Sequence, residues 1–193
     1  MKGENLFRRL DVSLLYPPFF AVVSAAVERC RARGHEYVAT YGFRNYHEQG
    51  ALHLKWKMGA GGKAAPAGLS AHQYGLAADF TADLREDKPG LQPDFRLPEY
   101  DVLGEEVRRV GLVWGASFGD APHVQWPGYL TAKQLLPLRA YVATFGEAVA
   151  LPRIWAVLDA ERSSAAWQQA NPLLAAECRR LGVTRSTMEK SVA

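Results

Sequence analysis

Cysteine is scarce in this chain. Its 193 residues include two cysteines, Cys30 and Cys178, far apart in segments whose apolar patterns are helical. Small secreted domains that depend on disulfides carry a much denser set of cysteines. The sequence therefore predicts two buried thiols, no disulfide framework and a reducing compartment.

Long apolar runs are missing as well. Residues 1–9 are mostly polar, and the short apolar stretch 14–16 is interrupted by Pro17 and Pro18. A signal peptide needs an apolar core of about 7 to 15 residues, and a membrane-spanning helix needs about 20. We therefore expect no signal peptide and no membrane insertion.

The excess of charge of one sign is small. The formal net charge is +3, and Arg179 and Arg180 form an isolated basic pair rather than part of a basic stripe. The segment 61–63 (GGK) does not complete the G-x-x-x-x-G-K-[ST] pattern of a phosphate-binding loop. These observations argue against nucleic acid as a partner.

Two widespread hydrolase motifs are also absent. His47 and Glu48 begin an H-E-x-x-H pattern that fails because position 51 is alanine, which argues against a thermolysin-type site. The segment 68–72 (GLSAH) lacks the final glycine of a G-x-S-x-G nucleophile elbow and has no strand before it. A serine hydrolase is therefore not expected.

The polar residues that are present include a set of metal-ligand type. His72 and Asp79 flank a turn and a short apolar strand pattern, and His123 opens a second one. Two imidazoles and one carboxylate leave a fourth position open, as catalytic zinc sites do. Asp83 has the same strand parity as Asp79 and is the best rival ligand, but it is expected to be solvated.

Alternation along these strands predicts which way each side chain points. Asp79 should leave its strand on the face opposite to the apolar neighbours Ala78 and Phe80. In the second strand, His123 and Gln125 should share one face.

Two further polar residues fit peptide-bond chemistry. Asp120, three places before His123, is a candidate general base and acid for a water on the metal; the alternative is a turn cap. Arg44 lies between a strand pattern and a helix pattern, where a guanidinium could bind a carboxylate or stabilise an oxyanion. Its alternative is a surface arginine that covers the helix start.

Three segments together carry a family resemblance. Residues 70–80 (SAHQYGLAADF) resemble the S-x-H-x-x-G-x-A-x-D signature of zinc peptidases that cleave D-alanyl-D-alanine or L-alanyl-D-glutamate bonds in bacterial cell-wall peptides. Residues 41–49 (YGFRNYHEQ) resemble that family's G-[FY]-R-x-x-x-x-Q segment, and residues 120–123 (DAPH) its closing acid-x-x-His. The resemblance spans about residues 12–130.

The resemblance implies an α+β fold of the hedgehog/DD-peptidase type, with a small antiparallel sheet. It implies a peptidoglycan stem peptide as substrate and a Zn2+ ion held by His72, Asp79 and His123. It assigns the acid/base role to Asp120 and substrate and transition-state support to Arg44, with Gln49 and Ser70 as polar lining.

The finer activity remains open between several alternatives. Many relatives have Glu where this chain has Asp120, and the shorter acid favours the endolysin-like branch that cleaves L-alanyl-D-glutamate bonds. The alternatives are a D-alanyl-D-alanine carboxypeptidase or dipeptidase, and a non-catalytic zinc-stabilised domain that binds cell wall. The presence of both Asp120 and Arg44 argues against the last. Without an export signal, we expect a bacteriophage enzyme that waits in the host cytoplasm for holin-type release or travels on the virion.

The chain divides in character near residue 130. Residues 1–130 form the predicted catalytic domain, whereas residues 131–193 show three helical patterns of no recognised family and unknown role. The second part carries 8 basic and 5 acidic residues, a bias that could favour an anionic wall surface. The alternative is that these helices pack on the catalytic domain or on a second subunit.

Overall fold

The computed structural model describes residues 6–83, 91, 93–94, 96–127 and 132–183. The described helices and strands run in the order α1 Pro17–Ala32, β1 Glu36–Tyr41, α2 Tyr46–Lys57, β2 Ala77–Asp83, β3 Pro93–Asp94, α3 Asp101–Arg109, β4 Val113–Trp114, β5 His123–Gln125, α4 Ala132–Phe145, α5 Glu147–Arg162, α6 Ala165–Ala170 and α7 Pro172–Arg180. Short 3-10 helices include Ala71–Tyr74 and Gly115–Phe118.

The sheet is small and antiparallel. Its order is β1-β2-β5-β4, and β3 pairs with β2 away from this path. Strand β2 is central, so that Asp79 lies opposite Tyr41 of β1 on one side and His123 of β5 on the other. These features confirm the predicted α+β fold class.

The core lies on the face of the sheet that is opposite to the polar residues. Ala78 and Phe80 of β2 are buried on this face, as the alternation predicted. Helix α1 begins at two prolines, where missing N–H groups cost nothing, and buries Val22, Val23 and Val27 in the same core. One face of the sheet thus packs against the core, and the opposite face carries Asp79 and His123.

A capping box fixes the start of α2. The Asn45 side chain accepts a hydrogen bond from the backbone N–H of Glu48, whose own carboxylate accepts one from the backbone N–H of Asn45. Such reciprocal capping satisfies two N–H groups that the helix leaves without partners. Because Arg44 directly precedes this cap, its backbone lies at a fixed strand-to-helix junction.

The C-terminal helices join the same core as the sheet. The indole of Trp167 in α6 stacks on Trp126 with ring centroids 6.0 Å apart. The Trp155 Nε1–H of α5 donates to the Tyr74 carbonyl at 2.8 Å, and the Tyr16 hydroxyl donates to Asp159 at 2.8 Å. The helices therefore pack on the sheet-containing part of the chain, which is the second of the two sequence alternatives.

Three further predictions concern the domain boundary, the two cysteines and membrane-spanning helices. The predicted boundary at residue 130 lies outside the described residues. Cys30 and Cys178 are buried free thiols, as predicted. None of the helices in the described part of the chain is long and apolar enough to cross a membrane.

Candidate metal centre

Three side chains converge at the polar face of the sheet. The His72 Nε2 and His123 Nδ1 atoms lie 3.2 Å apart, and Asp79 Oδ1 lies 3.2 Å from the first and 3.0 Å from the second. The three atoms form a nearly equilateral triangle in a mostly buried setting. Within the described residues this is the one group of three that could hold a metal ion.

The fold brings these residues together in two ways. Asp79 and His123 are direct partners in the β2–β5 ladder, so their side chains leave the sheet side by side. His72 lies on the 3-10 helix Ala71–Tyr74, which ends at Gly75 with φ 68°. A Cβ at Gly75 would lie 2.4 Å from the Leu14 carbonyl oxygen, so the turn that directs His72 toward the strand needs glycine.

Each imidazole has a partner on its other ring nitrogen. His72 Nδ1 lies 2.6 Å from the Gly42 carbonyl oxygen, and His123 Nε2 lies 2.9 Å from Gln125 Oε1. Since both oxygens accept, each of these ring nitrogens carries the proton, and the lone pairs of His72 Nε2 and His123 Nδ1 face the triangle. Partners of this kind hold metal-binding histidines in the correct tautomer.

The pKa shifts favour the metal-binding forms of His72 and Asp79, whereas that of His123 favours a proton at the position of the metal. Burial lowers the pKa of His72, which keeps the imidazole neutral. Although burial alone would raise the pKa of Asp79, its interactions with His72 and His123 hold that pKa well below the usual range. Burial acts to lower the pKa of His123, but its hydrogen bond with Asp79 raises it overall. A divalent cation would displace the proton from His123 Nδ1 and satisfy all three groups.

This arrangement fits zinc. Ligand bonds of about 2.0 to 2.1 Å in a tetrahedral site place donor atoms roughly 3.3 Å apart, close to the observed separations. The three predicted ligands are therefore brought together by the fold, and the described residues supply no fourth protein ligand. The open position faces a cavity of about 510 Å3.

Asp120 lies at the rim of this cavity. It is exposed and is not a member of the ligand triangle. Its backbone is fixed because its N–H donates to the Gly115 carbonyl at 3.0 Å and its own carbonyl accepts from the His123 N–H at 3.1 Å. Surrounding protein and the charge of Asp79 raise the pKa of the Asp120 carboxyl. A carboxylate with a raised pKa beside a metal site can accept a proton from water.

Arg44 has a contact that the sequence did not predict. Its Nη2–H group donates to Asp79 Oδ2, the carboxylate oxygen that does not face the histidines. The guanidinium also lies over the Tyr41 ring, 5.3 Å from its centroid. The buried Nε atom has no hydrogen-bond partner within the described structure. Arg44 thus orients Asp79 within the candidate ligand set, and its side chain lines the cavity.

The two residues predicted as polar lining also border the cavity. Gln49 is buried, and its Nε2–H donates to the Ala65 carbonyl at 2.8 Å. This bond holds the loop 58–69, which forms one wall of the cavity. The Gln49 Oε1 atom has no partner in the described part of the protein. Ser70 is nearly buried beside His72.

Sequence reasoning missed three residues at the site and misplaced one. Gln125 holds His123, and the alternation that put both on one face was the available signal. Phe118 contacts the His123 ring edge-on at 5.6 Å, and Lys63 lines the cavity; neither had a signal in the sequence. Asp83 is buried rather than solvated, because it ends the central strand opposite Glu36, and it does not join the ligands.

Comparisons with known proteins agree with this site. Residues 63–126 match a family model described as D-alanyl-D-alanine carboxypeptidase, and this segment contains all three ligands and Asp120. The match confirms the predicted resemblance over this third of the chain. No curated protein sequence matches the chain.

One solved structure is similar in part. It is that of the vancomycin resistance D,D-pentapeptidase VanY from a VanB-type resistance cassette, in complex with Zn(II). The two chains are 17% identical, the alignment covers 69% of this chain and 81% of that chain, and the TM-score is 0.44.

Proposed function

We propose that this protein is a zinc-dependent peptidase that hydrolyses the D-alanyl-D-alanine bond of peptidoglycan stem peptides. The observation that carries the proposal is the triangle of His72, Asp79 and His123 inside the segment that matches the carboxypeptidase family model. Peptidoglycan peptides are the substrates that the family description implies.

The residues around the triangle suit peptide hydrolysis. Zinc in such a site polarises a carbonyl and lowers the pKa of a bound water. Asp120 borders the same cavity and would take a proton from the water and deliver it to the departing amine. The Arg44 guanidinium lines this cavity and would donate to the scissile carbonyl or to a substrate carboxylate.

A second candidate is hydrolysis of the L-alanyl-D-glutamate bond inside the stem. Two observations favour it. Asp occupies the acid position in the segment 120–123, and a further cavity adjoins Arg44, Asp79 and Asp120 on another side, so a peptide could extend past the metal in both directions. In that case a bacteriophage lysis enzyme, released through holin pores or carried on a virion, is the proposed setting.

Digestion of purified peptidoglycan tests these proposals. We would measure zinc content by elemental analysis and identify the released ends by mass spectrometry, for the wild type and for Asp120→Ala. Free D-alanine, lost in a variant that keeps its zinc, is the result expected from the first proposal. New N-terminal D-glutamate or isoglutamine ends would establish the second.

A third outcome would overturn both proposals. If the wild type binds one zinc per chain but cleaves neither of these two bonds in purified peptidoglycan, the zinc serves a binding domain and not a peptidase.

A further inference from the structure

The metal centre adjoins a second cavity that contains neither of the two histidines. Its volume is about 490 Å3, similar to the 510 Å3 of the first cavity. The two cavities share Arg44, Asp79 and Asp120. The second one is also bordered by Arg9, Thr40, Tyr41 and Thr81, and by the apolar residues Leu91, Pro93 and Pro122.

The two cavities differ in what they offer a ligand. Cavities of about 300 to 1,000 Å3 hold ligands larger than a single alanine. The first contains the metal ligands His72 and His123. The second contributes Arg9 and the largely exposed ring of Tyr41, which is 61% accessible. A peptide whose scissile bond lies at the metal can therefore continue into the second cavity.

The position of Arg9 is anchored from both sides along the chain. Leu6 and Phe7 are buried, and the Leu6 carbonyl accepts a hydrogen bond from the Ala39 N–H of β1 at 2.9 Å. On the other side, a Cβ at Gly42 would lie 3.1 Å from the Leu10 side chain. Gly42 is the residue whose carbonyl holds His72. The turn 6–10 is thus fixed next to the metal centre.

The charge of Arg9 is available to a ligand. Arg44, the other cation of the second cavity, is already paired with Asp79. Arg9 is exposed and forms no ion pair or hydrogen bond with any part of the chain that the structure describes. A guanidinium in this position matches the planar, two-oxygen geometry of a carboxylate.

We infer that the second cavity is a substrate subsite in which Arg9 binds a carboxylate of the peptide, away from the scissile bond. The inference rests on the proposed function and deepens it, because it makes this chain selective for stem peptides with free carboxylates over their amidated forms. Arg9 is a specificity residue and takes no part in bond cleavage.

The test compares peptides as well as variants. We would prepare a synthetic stem peptide and a series in which each of its carboxylates, one at a time, is a carboxamide. Steady-state kinetics would be measured with zinc-loaded wild type, Arg9→Gln and the control Lys55→Gln. Lys55 lies on the exposed side of α2 and borders neither cavity, so its variant removes one positive charge elsewhere.

The expected pattern is specific. One amidated peptide should lose about two- to fivefold in kcat/KM with wild type, mostly through KM, as an exposed charge pair would give. With Arg9→Gln, kcat/KM for the parent peptide should fall to the same level, and kcat/KM for that amidated peptide should not change. Lys55→Gln should give the wild-type values for both peptides. Equal losses on all peptides, or no loss with Arg9→Gln, would overturn the subsite.

Equilibrium binding separates this inference from the proposed function. Calorimetric titration of the parent peptide into the same three proteins, each also carrying Asp120→Asn to suppress cleavage, reports binding at the subsite. Weaker binding by Arg9→Gln alone, in a protein that cleaves no peptide, would retain the subsite and reject the peptidase. If the wild type cleaves the peptides but binds the parent and amidated forms equally, the peptidase is retained and the subsite is rejected.

Discussion

The sheet-containing part of the chain, 36–126, and the C-terminal helices, 132–183, share one core but use their polar groups differently. In the first part His72, Asp79 and His123 converge beside an open cavity. In the second part Asp159 is buried and accepts hydrogen bonds from Tyr16 and Arg162, with no cavity of the metal centre nearby. The candidate metal ligands therefore lie on one face of the sheet, while the C-terminal helices pack against the core on the other face.

Deletion of residues 132–193 should have the largest effect. It removes Trp155, Trp167 and Leu174 from the common core. Loss of one buried tryptophan costs about 3 to 5 kcal/mol, against a total stability of about 5 to 15 kcal/mol. We expect no cooperative thermal unfolding in calorimetry and an insoluble product. A soluble, zinc-binding fragment 1–131 would show that the two parts fold independently.

Two point variants compare a buried and an exposed side chain of the C-terminal helices. Trp167→Ala should lower the free energy of unfolding by about 3 kcal/mol or more, because Trp167 stacks on Trp126. Val157→Ala, on the exposed side of α5, should change it by less than about 0.5 kcal/mol. Urea unfolding of both variants measures the difference.

Asp120→Asn should abolish most of the activity and leave the fold intact. Loss of a general acid/base lowers rates by about 100- to 10,000-fold, and zinc content should stay at the wild-type level because Asp120 is not a ligand. In the wild type, kcat/KM should fall as the pH decreases through the Asp120 pKa, since only the carboxylate accepts a proton. That pKa is raised, so the acid limb should lie above the usual value of about 4.

Gln125→Leu should weaken zinc binding by about 10- to 100-fold, because it leaves the His123 Nε2–H without its acceptor. Competition with a chromophoric chelator measures the dissociation constant. Gln125→Glu keeps an acceptor oxygen and should restore most of the affinity. Equal losses in both variants would show that Gln125 is needed for packing and not for the orientation of His123.

Trp155→Phe should have the smallest effect of the substitutions at buried positions. It removes the hydrogen bond to the Tyr74 carbonyl and keeps most of the ring, at a cost of about 1 kcal/mol in unfolding free energy. The melting temperature should fall by roughly 2 to 4 °C in a chain of this size, with unchanged zinc affinity. A loss of zinc affinity would show that the helices also position His72, two residues before Tyr74.

Much of the site could be predicted because it depends on local patterns. Strand alternation placed Asp79 opposite the core and put His123 and Gln125 on one face, and the structure agrees. The contact between Arg44 and Asp79 could not be predicted, because it joins residues 35 places apart whose meeting depends on the antiparallel pairing of β1 with β2. The burial of Asp83 was missed for the same reason.

The sequence by itself determined the types and the order of the candidate ligands, because residue identity and the two-residue period of a strand fix which groups can face a metal. The scarcity of cysteine determined the absence of a disulfide framework. The tertiary structure alone decided that Gly42 and Gln125 set the histidine tautomers, that Arg9 lies beside the site and that the helices join the core. These contacts arise between segments distant in sequence, so their distances exist only once the sheet has formed and the helices have packed behind it.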